Sequence, residues 1–118
     1  MNCRVIFRGQ TGEFFSKGEL LPYLNGFLLK YTLDGDRCEL CVEGKTVRQT
    51  REGSVNIQMS FKQSEQSLCY IRDGELSGCF PVFTYLLSSS VNEEGAKLNL
   101  EYECADEKIT LEVIAEVL

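Results

Sequence analysis

Tyr70 and Arg72, in the run Leu68-Cys69-Tyr70-Ile71-Arg72, are the side chains best spaced to hold a ligand. Two residues apart on a strand, they share a face. Pointing together into the lumen of a barrel, they could clamp a carboxylate or a phosphate. The guanidinium would supply charge-assisted hydrogen bonds of roughly 1.5–3 kcal/mol. Buried with neither ligand nor acidic partner it would be strongly destabilising, so an arginine held inside would mark function rather than packing. The competing expectation is that Arg72, beside the Asp73-Gly74 turn, reaches water while Tyr70 fills core. Arg51 is a second candidate for an inward cation. Otherwise it is a turn residue set by Gly53.

The remaining reactive residues point to no catalyst and no metal. The chain contains no histidine, which removes the usual general base, the usual activator of a nucleophile and the commonest transition-metal ligand. Cys38-Glu39-Leu40-Cys41 has Cys-x-x-Cys spacing, but it lies in a strand-like run that sends the two thiols to opposite faces, and no second pair completes a zinc site. With Cys3, Cys69, Cys79 and Cys104 these make six cysteines, expected to be free thiols acting as small apolar residues. Ser88-Ser89-Ser90 has no base near it in sequence and reads as a polar strand end. Asp34 and Asp36 flank a turn without the ligand spacing of a calcium loop. No phosphate-binding glycine motif occurs. The expectation is a protein that is not an enzyme and carries neither metal nor cofactor.

The elements that must position these residues are strands. Val55, Ile57, Met59 and Phe61 alternate with polar residues, as do Leu98, Leu100, Tyr102 and Cys104, and again Ile109, Leu111, Val113, Ala115 and Val117. A period of two marks strands with one face in a core and one in water. Asn25-Gly26, Asp34-Gly35, Glu43-Gly44, Glu52-Gly53, Asp73-Gly74 and Glu94-Gly95 punctuate the runs as hairpin turns. The spacing predicts strands over 3–8, 13–24 with a break near Lys17-Gly18, 27–33, 36–43, 46–51, 54–62, 67–72, 82–90, 97–104 and 108–117. Leu68 is expected in the core with Phe61 and Leu98. Short hairpins let neighbours pair in order, and closing the sheet removes exposed edges. Residues 1–118 should therefore form one all-β domain, an antiparallel up-and-down β-barrel of eight to ten strands.

Composition bounds the partners. A net charge of −6 disfavours nucleic acid and anionic membrane surfaces. Neither a signal peptide at Met1–Arg8 nor a long apolar span is visible, so a reducing cytoplasmic setting is expected.

From about Phe27 to Val113 the order of residues resembles the YwiB-like family of bacterial domains of unknown function. The resemblance rests on Tyr31, Arg51-Glu52-Gly53, Met59, Phe61, Tyr70 before Gly74, Phe83-Thr84, and Gly95 leading into Leu98, Leu100 and Tyr102. It implies a calycin-type barrel, similar in architecture to lipocalins and fatty-acid-binding proteins, and no reaction. Against that pattern, Gly74–Pro81 is longer and more irregular than expected before Phe83-Thr84. Two functions follow from these readings. The first is a binding protein taking a small apolar or amphipathic anionic ligand, with Tyr70, Arg72 and Arg51 as its contacts. The alternative is a packed barrel that binds a protein partner or a second copy of itself. The filling of the lumen separates them.

Overall fold

Alternation becomes strand pairing along the whole chain, in a computed structural model that describes residues 1–118. The strands are β1 (Asn2–Gly9), β2 (Gly12–Tyr23), β3 (Gly26–Leu33), β4 (Asp36–Glu43), β5 (Thr46–Glu52), β6 (Val55–Lys62), β7 (Gln66–Asp73), β8 (Leu76–Asn92), β9 (Gly95–Cys104) and β10 (Glu107–Val117). Each pairs antiparallel with the next, and β10 returns to β1 to close a barrel. The turn residues explain the tightness of the hairpins. Asn25 and Asp34 hold left-handed φ values of 58° and 49°, which asparagine and aspartate tolerate better than other non-glycine residues.

Two strands are long because each serves two neighbours. β2 pairs with β1 over Gly12–Glu19 and with β3 over Gly18–Tyr23, turning a corner where the two pairings overlap. Gly18 occupies that corner, and a Cβ there would lie 2.5 Å from the Lys30 carbonyl oxygen and 2.9 Å from the Val5 side chain. The break expected near Lys17-Gly18 is therefore a bend in one continuous strand. β8 does the same on a larger scale, pairing with β7 over Leu76–Phe83 and with β9 over Val82–Asn92. A register shift between Thr84 and Leu86 marks its bend.

One boundary differs from the sequence expectation by more than two residues. β8 begins at Leu76 rather than at 82, and the stretch that reads as irregular is ordinary strand. Ser77, Gly78, Cys79 and Pro81 carry turn-like composition, but pairing with β7 supplies the backbone hydrogen bonds that composition does not advertise.

The lumen is filled. Twenty buried residues form one contiguous cluster, among them Val5, Leu29, Leu40, Phe61, Leu98 and Val113, with Phe7, Ile57, Met59, Ile71 and Leu111 packed against it. Phe61 stacks obliquely on Tyr102 with ring centres 4.8 Å apart. Leu68 is a correction: it is 45% exposed. β7 offers two candidate faces, Leu68-Tyr70-Arg72 and Cys69-Ile71, and each contains apolar residues. Pairing decides between them, since Ile71 stands opposite Ile57 and Cys69 opposite Met59 in the inner row. The whole second face turns outward.

Candidate functional site

That choice of face relocates two of the three candidate residues. Tyr70 is 51% exposed and Arg72 is also exposed, so neither projects into the lumen as the clamp requires. They do share a face, the outer one. There they meet residues brought by pairing: Thr50, Gln58, Tyr70 and Cys79 stand in one row across β5, β6, β7 and β8. Asn56, Arg72 and Ser77 form the next row. Together they line an open cleft of about 770 Å³, with Glu52 beside them and Arg51, Ile57 and Ile71 of the inner row also in its lining.

The cleft is rich in hydrogen-bonding groups and holds one uncompensated cation. Eight ion pairs form on the barrel, and Arg72 takes part in none of them. Glu52 faces Arg37 at 3.3 Å. The guanidinium of Arg72 is thus available beside the phenol of Tyr70, the amides of Asn56 and Gln58 and the hydroxyls of Thr50 and Ser77. Such a set suits a carboxylate or phosphate, with the tyrosine ring as an apolar wall. The exposed thiol of Cys79 lies at the same site.

Arg51 is the inward cation that the sequence allows, and the structure gives it a partner. Its side chain is 16% exposed, and its Nε donates to Asp36 Oδ2 at 2.7 Å. Asp36 is buried and also accepts from the Ser54 N–H at 2.8 Å, the Val55 N–H at 3.1 Å and the Ser54 hydroxyl at 3.2 Å. The Ser54 N–H first, then the Arg51 guanidinium, hold the Asp36 carboxyl down at about 2. Gly53 is required for this arrangement. Its φ is +155°, and a Cβ there would fall 1.9 Å from Asp36 Oδ1. Arg51 and Asp36 thereby form a neutral plug tying β4 to the β5–β6 turn. Beside it, Gln49 donates to the Tyr31 hydroxyl at 3.5 Å, and burial pushes the Tyr31 phenol up to about 12.

Asp36 escapes the sequence reading because it sits next to a turn. Its phase was the available signal: Asp36, Cys38, Leu40 and Val42 fall on one face, so a carboxylate there needs an inward cation. Cys38 and Cys41 lie on opposite faces, as their spacing requires, Cys38 buried and Cys41 half-buried. No group of three or more metal-ligating side chains converges.

Fold and cleft define a class: a closed, ten-stranded antiparallel barrel of calycin-like architecture, with a packed lumen and its polar cleft on the outside. The family described as a domain of unknown function (DUF1934) matches residues 8–111, and the chain belongs to it. The crystal structure of the ywiB protein from Bacillus subtilis is similar, with a TM-score of 0.80 and 16% identity over 98% of this chain and 87% of that one. That likeness bears on the fold and agrees with the YwiB-like resemblance in the sequence. No curated protein sequence matches the chain.

Proposed function

We propose that this domain is a non-enzymatic binding protein that holds the anionic group of a small amphipathic molecule in the outer cleft between β5 and β8. The observation that carries the reading is Arg72: an unpaired guanidinium in a cleft of about 770 Å³, flanked by Tyr70, Asn56 and Gln58. The lumen is the poorer candidate, because a contiguous apolar cluster occupies it and Asp36 already neutralises Arg51. The net charge of −6 opposes anions at long range, but screening confines that repulsion to about 8–10 Å in ordinary salt. A local cation can therefore act against the overall sign. The packed lumen also favours the second reading, a barrel that works through its surface on a protein partner.

A panel of fatty acids and other small anions tests the first reading by thermal shift. A ligand at a hundredfold its Kd should raise the melting temperature by about 10 °C. Arg72→Ala should weaken binding by roughly ten- to a hundredfold, the value of one charge-assisted contact, without lowering the ligand-free melting temperature. Bound ligand should also slow alkylation of Cys79, the exposed thiol in the cleft. No shift from any member of the panel, or a shift that survives Arg72→Ala and leaves Cys79 labelling unchanged, overturns the proposal.

A further inference from the structure

The bend in β8 leaves an edge without a neighbour. Beyond Phe83 the strand has left β7, and residues 86–92 pair along one side only, with β9, while Tyr85 stands in the register shift. Around the bend, Thr84 is still bridged to the 63–65 segment, its carbonyl accepting from the Ser64 N–H and its own N–H donating to the Glu65 carbonyl. No strand takes over after it. Tyr85, Leu86 and Val91 are exposed at 41%, 45% and 48%, and of this stretch only Leu87 is buried.

The fold has a second free edge, and the contrast between the two is informative. At the other corner, residues 12–17 of β2 pair with β1 but not with β3. That edge carries Glu13 and Lys17, and the Ser16 hydroxyl caps the Thr32 carbonyl beside it at 2.9 Å. Charges on an edge are the usual protection against sheet-to-sheet pairing. β8 has no such protection: its 17 residues include no Asp, Glu, Lys or Arg, in a chain where charged residues make up 25%.

We propose that residues 85–92 of β8 pair antiparallel with the same residues of a second copy, continuing the sheet across a two-fold axis centred near Ser88. Charge selects this occupant. Two chains of net charge −6 repel one another at long range, but a two-fold on β8 sets neutral strand against neutral strand and adds no like-charge contact to that repulsion. Charge also selects the direction. A parallel pairing would lay Glu93 and Glu94 beside their own copies. The antiparallel pairing separates the two Glu93 residues by roughly 34 Å, about ten residues of strand and several screening lengths. The outer cleft uses Ser77 and Cys79, before the bend, so the dimer leaves it open.

Sedimentation velocity over roughly 1 to 100 µM, the range in which a modest dimer assembles, tests the proposal. The wild-type chain should shift from monomer to dimer with concentration, and amides of residues 85–92 should gain protection from hydrogen exchange in step. Ser88→Lys and Ser88→Glu should each remain monomeric with an unchanged circular dichroism spectrum, because the two-fold sets like charges face to face. Mixing those two variants should restore a dimer, now with opposite charges at the axis. A monomer throughout the range, a dimer that persists in Ser88→Lys, or a dimer without new protection of residues 85–92 overturns it. The hydrogen-exchange result on the wild-type chain decides the matter even if a variant fails to fold.

Discussion

Replacing Asp36 by asparagine should remove most of one carboxylate's share of the acid sensitivity of this barrel. The asparagine keeps the shape of the side chain and stands in for the protonated acid. In the folded protein the carboxyl is held at about 2 against an ordinary value of 3.8, by the Ser54 N–H, Arg51 and the Val55 N–H. Between those two values the unfolded chain binds the extra proton and the folded one does not. The sign follows: stability from this group is fully present above about pH 4 and is lost as the pH falls toward 2. Between those values the folding equilibrium changes by at most about tenfold per pH unit, the limit for a single proton. The assay is urea unfolding followed by far-ultraviolet circular dichroism, on both chains, from about pH 7 to about pH 2. Asp36→Asn should be the less stable at neutral pH, and the two curves should converge in acid. Glu112, lowered by Lys97 and Arg8, adds acid sensitivity of the same sign to both chains and cancels in the comparison. Arg51→Met should keep part of the dependence, because the Ser54 and Val55 N–H groups remain. Curves that stay parallel from neutral pH to acid would refute the reasoning.

The other two predictions concern buried polar groups. The Thr84 hydroxyl is fully buried with no hydrogen-bond partner, so Thr84→Val should stabilise the barrel by about 1 kcal/mol, or roughly 4 °C in melting temperature. A loss of stability in that variant would mean that the hydroxyl is satisfied. Burial pushes the phenols of Tyr31 and Tyr102 up to about 12, so their contribution is intact below about pH 10 and is lost as the pH rises toward 12. Phenolate absorbance and circular dichroism, recorded together through an alkaline titration, should show those two phenols ionising only as the barrel opens. Ionisation of all five tyrosines while the dichroism stays native would contradict it.

The placement of Arg51 and Arg72 shows how two arginines with the same local appearance acquire opposite roles. Each lies near the end of a strand, close to a turn glycine. Arg51 falls in the inner row and is tolerable there because Asp36 arrives from the neighbouring strand to neutralise it. Arg72 falls in the outer row, where water solvates it and no carboxylate of this chain pairs with it. The difference is one step of register, and a single step in a strand exchanges every side chain between core and solvent.

Features that depend on neighbours along the chain are legible in the residues alone. Strict alternation at Val55–Phe61 and Leu98–Cys104 specifies strands, and Asn25-Gly26 and Asp34-Gly35 specify tight hairpins, because both are written in consecutive residues. Short turns then make pairing sequential, and ten strands pairing in order close into a barrel. Features that depend on a partner distant in sequence emerge only in the folded barrel. β7 has two plausible apolar faces, and only Ile57 and Met59 across the β6 pairing choose Cys69 and Ile71 for the core, sending Leu68, Tyr70 and Arg72 outside. Leu76–Pro81 has the composition of a turn and becomes strand because β7 satisfies its backbone. Asp36 looks like a turn aspartate until Arg51 and Ser54, 15 and 18 residues away, converge on it. Alternation is a local property of the chain; which face of it meets the core is settled by register between strands, and register is a property of the closed barrel.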